Sequence, residues 1–205
     1  MSQPIILASS SAYRQQQLSA LGLRIKSAAP DIDESSSSSE SAKSLAERLA
    51  KAKAQKVADQ YPSSIIIGSD QTASVDINGN QLILGKAGNF DKAKQQLTYC
   101  QGKTVTFFSA VCLYCAEINR SIVRTEVTKV KFRRLDEKDI VSYLRSEQPY
   151  DCAGSFKAEG RGILLFERLS SRDPNALIGM PLILLREMLA EFDIDLLALA
   201  TQTKA

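Results

Sequence analysis

SIIIGSDQTASVDINGNQLIL, residues 64–84, is the stretch on which the fold turns. Ser64 to Gly68 is an apolar run of strand length, and it reads as a buried strand. It feeds directly into Ser69, Asp70 and Gln71. Asn78-Gly79, between VDI and QLIL, is a hairpin signal, because both residues tolerate the positive φ of a tight turn. With those two residues as the loop, positions whose numbers add to 157 pair across the hairpin. Lys86 then falls opposite Gln71 and beside Asp70. A slip of one residue would change the partner but not the neighbourhood. A carboxylate at the end of a buried strand, with a cation next to it, is therefore expected from pattern alone.

Working outward, Pro4 to Ala8 reads as a short buried strand leading to Ser9, Ser10 and Ser11. A helix follows over about 12–21, with a serine N-cap and Gly22 closing it. Residues 24–28 suit a second strand. PDIDESSSSSE is a polar, low-complexity loop expected to be mobile. The next helix spans about 42–60, and its stripe of Leu45, Leu49, Lys53 and Val57 sets a lysine within the buried face. By itself, such a lysine is expected to snorkel to the surface. Downstream come a helix over 91–100, long strands over 105–115 and 121–133, and a helix capped by Asp136. A strand ILLFERL at 163–169 and a helix from Pro181 to about Phe192 complete the pattern. Helices alternating with strands, plus two antiparallel pairs, predict an α/β fold with a mixed sheet, in one domain over residues 1–205.

Composition narrows the chemistry. The chain has 205 residues, a formal charge of +3 and no histidine. So small a charge excludes the dense basic face of a nucleic-acid binder. Lys129, Lys131 and Arg133 alternate on one strand face, the usual pattern of a solvated sheet. Without histidine, Ser-His and Cys-His nucleophiles and His metal ligands are absent. A general base is then a carboxylate or a perturbed Lys, Tyr or Cys, and a metal site is oxygen-rich, favouring Mg²⁺ or Mn²⁺. Cys112 and Cys115 have CxxC spacing, but they lie in the strand TVTFFSAVCLYC, where an offset of three sends them to opposite faces. Buried, inert thiols are expected. No signal peptide or membrane-length apolar run is visible, so a cytoplasmic location without membrane contact is expected.

Several residues carry candidate chemistry. In LASSSAYR, a serine-rich turn opens a helix whose N-terminus favours an anion, and Arg14 adds a fork suited to phosphate. An ordinary cap explains the same residues. Asp70, beyond the carboxyl end of its strand, suits a metal ligand or a proton acceptor, and equally a turn. Glu34, close to Asp31 and Asp33, suits a metal-proximal carboxylate or a solvated loop. Lys157 and Glu159 stand in a glycine-punctuated segment that suits close approach to a ligand, or simply a charged turn. No P-loop motif is present.

In this order LASSSAYR, PDIDE, LAKAKA, GSDQ, GK at Lys86, CAGSFKAEGRG and NALIGMP resemble the Maf family of nucleotide pyrophosphatases along nearly the whole chain. The resemblance implies a two-lobed α/β fold similar to that of inosine-triphosphate pyrophosphatases, with a nucleotide cleft. It implies Asp70 as the catalytic proton acceptor and metal-proximal group, and Glu34 beside the metal, a divalent cation such as Mg²⁺ or Mn²⁺. Ser9, Arg14, Lys53 and Lys86 match phosphate-facing positions, which turns Lys53 from a snorkelling residue into one pointing at the cleft. Tyr13, Gln71 and Glu159 look like the branch that hydrolyses 7-methyl-GTP. An aromatic ring suits a cationic N7-methylated purine, and a carboxylate suits its charge or its N1/N2 donors. Lys157 is a further pocket residue. The resemblance also implies a homodimer acting on a small-molecule nucleoside triphosphate. The branch acting on dTTP and UTP, and a non-catalytic nucleotide-binding regulator of cell division, remain the alternatives.

Overall fold

A computed structural model describes residues 3–37 and 40–201. The expected mobility of the serine run extends to Ser38 and Ser39, which lie outside the described residues. The elements, in chain order, are β1 (Ile5–Ala8), α1 (Ala12–Ala20), β2 (Lys26–Ala28), α2 (Ala42–Ala58), β3 (Ile65–Ile77), β4 (Asn80–Leu84) and α3 (Phe90–Cys100). They continue with β5 (Thr104–Cys115), β6 (Arg120–Phe132), α4 (Glu137–Glu147), a 3-10 turn (Arg161–Leu165), β7 (Phe166–Ser170), α5 (Asn175–Ile178), α6 (Leu182–Ala190) and α7 (Leu196–Thr201). Seven strands form one sheet in the order β2-β1-β3-β5-β6-β7, with β4 attached to β3. The α/β class and mixed sheet expected from the sequence are found. Among the described residues, no helix is long and apolar enough to cross a membrane.

The chain divides into two compact units, drawn from Met1–Asp70, Ser109–Glu126 and Asp173–Ala205 for the first, and from Gln71–Phe108 and Val127–Arg172 for the second. In the first unit β1 lies between two parallel neighbours. Leu7 pairs with Ser27 of β2 and with Ile67 of β3, and Ala8 pairs with Gly68. Both faces of these strands are covered, which explains the unbroken apolar runs IILA and SIIIG. Leu7, Ile65 and Ile67 join Leu18, Met180, Leu185, Met188 and Leu189 in one core. Gly68 faces α2 and allows close approach: a Cβ there would lie 2.1 Å from the Ala50 carbonyl oxygen and 2.8 Å from the Ala54 nitrogen. Ser11 caps α1, accepting from Arg14 N, and Ser41 caps α2, accepting from Ser44 N. Gly22, at φ +80, closes α1 by donating to Ser19 O at 2.9 Å.

Cys112 and Cys115 are buried free thiols, as the strand reading requires, and Cys115 belongs to the core while Cys112 contacts the Ser121 hydroxyl at 3.7 Å. Burial pushes the Cys112 thiol up to about 11, against opposing pulls from Ser121 and Lys51. In the second unit burial likewise pushes the Cys100 thiol up to about 12. Neither is a nucleophile near neutral pH.

The second unit is centred on four phenylalanines, Phe107, Phe132, Phe156 and Phe166, packed edge to face with ring centroids 4.9–5.6 Å apart. Each such pair contributes about 0.5–1.5 kcal/mol beyond area burial. The β3–β4 hairpin has the expected register, with Val75 opposite Leu82 and Ile77 opposite Asn80. Its ladder ends at Ala73 and Leu84, however, so the extrapolated pairing of Lys86 with Gln71 is not made. The chain leaves the hairpin at Gly85 and is captured elsewhere. Lys86 bridges Ala153, and Gly88 N donates to Tyr150 O at 2.9 Å.

The expected strand from Ile163 begins only at Phe166. Arg161–Leu165 forms a 3-10 turn because Gly160 N and Gly162 N both fold back onto Lys157 O, at 3.3 and 3.1 Å. Pro181 caps α6 rather than opening it, and the helix ends at Ala190. Substituting Gly68→Ala should lower the urea midpoint by an amount equivalent to roughly 1–3 kcal/mol, the usual cost of forcing atoms into a packed interior. An unchanged midpoint would mean that α2 does not press on β3 as described.

Candidate active site

The parallel pairing of β1 with β3 ends at Ala8 and Gly68, where β1 stops and β3 runs on, and the strand order reverses there, since β2 flanks β1 on one side and β3 on the other. In open α/β sheets, a reversal at the carboxyl ends of parallel strands opens a crevice for ligands. Ser9 follows β1, whereas Ser69 and Asp70 lie within β3 just past its pairing with β1. The expectation that Asp70 stands beyond the end of its strand is corrected, because β3 runs on to Ile77 to pair with β4. Asp70 is 7% exposed. Its Oδ1 accepts from Lys53 Nζ at 2.6 Å, and the same ammonium meets Glu34 Oε1 at 2.6 Å. Lys53 is 5% exposed, so the snorkelling expected from periodicity alone is overturned. The reason is local: α2 is pressed against Gly68, two residues before Asp70, and the Lys53 ammonium meets the two carboxylates at 2.6 Å each.

The loop carrying Glu34 is tied to α2 rather than merely solvated. Arg48 Nη2 donates to Ser35 O at 2.9 Å, and Arg48 grips Glu40 through Nε at 2.8 Å and Nη2 at 2.9 Å. Ser35 N donates to Asp33 Oδ1 at 2.9 Å, which holds the Asp33 carboxyl below its ordinary range through hydrogen bonds from Ser35. Glu34, with its side chain about half exposed, is thus presented to Lys53 by a braced turn.

Arg14 projects from the first turn of α1. Its Nε donates to Gly179 O at 3.0 Å, and its Nη1 approaches Ser9 Oγ at 3.5 Å. Ser9 Oγ also accepts from Ser11 N at 3.1 Å. Burial lowers the Arg14 pKa, while the charges of Asp70 and Glu34 raise it. A guanidinium remains charged under such opposing pulls. Ser69, fully buried, donates to the same Gly179 oxygen at 3.3 Å. Within this unit the group therefore comprises two cations, Arg14 and Lys53, and two anions, Asp70 and Glu34. Its formal charges cancel.

Two carboxylate oxygens converging on one ammonium are a donor set that also suits a hard divalent cation. Among the described residues, no group of three or more His, Cys, Asp or Glu could hold a metal ion. A metal at Asp70 and Glu34 would thus take further ligands from phosphate oxygens and water, as Mg²⁺ does.

The remaining predicted residues are placed as follows. Tyr13 is half-buried on α1 in the first unit. Gln71, Lys86, Lys157 and Glu159 belong to the second. There, Lys157 N donates to the Tyr143 hydroxyl at 3.0 Å, and Arg161 N donates to Glu147 Oε2 at 3.3 Å. Tyr143 and Glu147, four residues apart on α4, thereby hold a turn with Glu159 exposed at its tip. Burial raises the Tyr143 phenol above its ordinary pKa, which keeps the hydroxyl neutral. The first unit thus brings together Ser9, Arg14, Glu34, Lys53 and Asp70. Sequence reasoning missed Ser69, Gly179, Arg48 and Tyr143. Only Ser69, beside Asp70, and Gly179, within NALIGMP, lay in segments already singled out.

Comparison with known proteins bears on the family and the fold. Residues 4–192 match the family described as Maf-like protein. A 7-methyl-GTP pyrophosphatase of Saccharophagus degradans is 51% identical over 181 residues, covering 88% of this chain and 90% of that one. A protein of the same name from Colwellia psychrerythraea is 46% identical over 194 residues, covering 95% of each. Among solved structures, a HAM1 protein from Coxiella burnetii superposes with a TM-score of 0.50 at 16% identity, covering 93% of this chain and all of that one, a likeness of fold alone. With the family match spanning residues 4–192 and relatives near half identical over 90% and 95% of their lengths, this chain belongs to the Maf family.

Proposed function

We propose that the protein is a nucleoside-triphosphate pyrophosphatase that hydrolyses 7-methyl-GTP to 7-methyl-GMP and diphosphate, clearing a non-standard nucleotide. The observation that carries this reading is the buried Lys53–Asp70 pair just past the parallel pairing of β1 with β3, in a chain close in sequence to proteins of that name. Burying an ion pair is seldom worth its desolvation for stability alone, and breaking one costs roughly 3–5 kcal/mol. A pair placed at a ligand crevice is better explained by chemistry.

In the proposed reaction, water attacks the α-phosphorus, its proton passes to Asp70, and the bond from the α-phosphorus to the bridging oxygen breaks to release diphosphate. Ser9, Arg14, Lys53 and Lys86 hold phosphate oxygens and offset the charge that develops on them. Movement of the Lys53 ammonium from the carboxylates to the phosphates would leave Asp70 Oδ1 open to the proton. A divalent cation, Mg²⁺ or Mn²⁺, held by Asp70 and Glu34 would supply further neutralisation of the phosphate charge. Tyr13, Gln71 and Glu159 are assigned to recognition of the methylated base, with Lys157 beside them. The reading extends to a single functional domain over residues 1–205, a homodimer and a cytoplasmic setting.

Purified protein with Mg²⁺ should release diphosphate from 7-methyl-GTP in preference to GTP, dTTP and UTP. Preference for dTTP or UTP would retain the reaction and remove the base assignment. Binding without release from any of the four would favour a regulator over an enzyme. Asp70→Asn should lower kcat by about 10²–10⁴-fold, the usual contribution of general base catalysis, while nucleotide binding measured by calorimetry persists. Turnover retained by that variant would refute Asp70 as the base. Glu159→Gln should reduce the ratio of kcat/KM for 7-methyl-GTP over GTP, and an unchanged ratio would remove Glu159 from base recognition.

A further inference from the structure

Asp173 has no part in the reaction just described, yet it is fully buried, and its carboxylate gathers three N–H groups from both ends of one short segment. Oδ1 accepts from Asn175 N at 2.8 Å and from Asn175 Nδ2 at 3.1 Å. Oδ2 accepts from Ile183 N at 2.7 Å. Ile183 lies in the first turn of α6, whose own N-cap, Pro181, provides no side-chain acceptor. The carboxylate therefore satisfies one of the free N–H groups of α6 from ten residues upstream, and its charge complements the helix dipole. It closes residues 175–183 into a loop tied at both ends.

Further bonds set the orientation of that loop. Gln17 Nε2 donates to Asn175 O at 2.9 Å, Ser109 Oγ donates to Ala176 O at 2.7 Å, and Gly179 N donates to Asn175 O at 3.2 Å. Gly179 has φ +140, a conformation that L side chains rarely adopt, and its carbonyl accepts from Arg14 Nε and Ser69 Oγ. A guanidinium is planar, so an acceptor fixed at Nε sets the plane in which both terminal nitrogens lie. Bidentate contact with phosphate depends on that plane.

We propose that Asp173 is a positioning residue for Arg14, acting through the Gly179 carbonyl to set the angle at which the guanidinium meets the nucleotide's phosphates. The proposal rests on the reading of Arg14 as phosphate-facing. An isosteric amide at position 173 must present either an N–H to an N–H or lose one of the three bonds, which loosens the loop without opening a cavity.

The test is a double-mutant cycle on the full chain, using Arg14→Ala, Asp173→Asn and the double variant, with KM and kcat for 7-methyl-GTP and nucleotide Kd measured beside thermal melts. Asp173→Asn should raise KM and Kd by about tenfold, with a smaller change in kcat, as expected for a displaced substrate-binding group. In the Arg14→Ala background the same change should add less than about twofold, because the group it positions is gone. Equal losses in both backgrounds would reduce Asp173 to a structural role and overturn the proposal while leaving the phosphate role of Arg14 intact. An Arg14→Ala variant with unaltered KM and Kd would instead refute the underlying reading. Should Asp173→Asn not fold, Asn175→Ala removes only the side-chain bond to Oδ1. It should raise KM in the wild-type background and not in the Arg14→Ala background, and parallel effects in the two would count against the proposal.

Discussion

An ammonium group shut away from water must find negative charge, and Lys53 finds it twice, on Asp70 and on Glu34. Much of the first unit follows from meeting that demand. The lysine is buried because α2 lies so close to β3 that only glycine fits at position 68. The carboxylates are in place because Asp70 lies on β3 two residues past Gly68 and because Arg48, one and a half turns before Lys53 on α2, braces the acidic loop. Removing either carboxylate leaves the other to balance a buried cation alone. Such a cluster is costly to assemble from water, and its value lies in the charge it can redistribute when phosphate arrives.

The other half of the arrangement is made of backbone. Parallel pairing of β1 with β3 ends at Ala8 and Gly68, which brings Ser9 and Ser69 to the same end of that pairing. The loop between Asp173 and α6 then supplies one carbonyl, that of Gly179, to both Arg14 and Ser69. Side chains from β3 and α1 thus share an acceptor from a third, distant segment. A flexible arginine and the hydroxyl of a serine within β3 are thereby held to one carbonyl. This is the sort of support by which a long side chain keeps one geometry.

Elements with strong local signals were legible in the sequence. A serine cap opened α1, Asn78-Gly79 turned the hairpin in the expected register, and the unbroken apolar runs marked strands covered on both faces. Extrapolation failed where tertiary contacts took over. Lys86 leaves its hairpin because residues 150–153 capture the chain, and Ile163–Leu165 turns because two glycines fold onto Lys157 O. The buried lysine was misread from periodicity since a helical stripe reports which face is covered, not what lies opposite. Its carboxylate partners sit in other elements, and family resemblance, not spacing, pointed it inward. Asp173 gave no signal at all, because its partner at Ile183 becomes its neighbour only once α5 and the turn at Gly179 have formed.

The protected thiols have a wider consequence. The chain contains no imidazole, and Cys100 and Cys112 stay protonated to about pH 12 and about pH 11. Imidazole is the side chain whose ordinary pKa falls in the physiological range. With no imidazole and with these two thiols held protonated, little of the side-chain charge changes as the surroundings drift in acidity around neutrality, Cys152 being a half-buried thiol outside that pair. The substrate's charge does change, since the last phosphate ionisation of a triphosphate falls in that same interval, near the second pKa of about 6 of a phosphate monoester. Part of any sensitivity to mild acid in this system then belongs to the nucleotide that enters, and is set by the substrate's own ionisation.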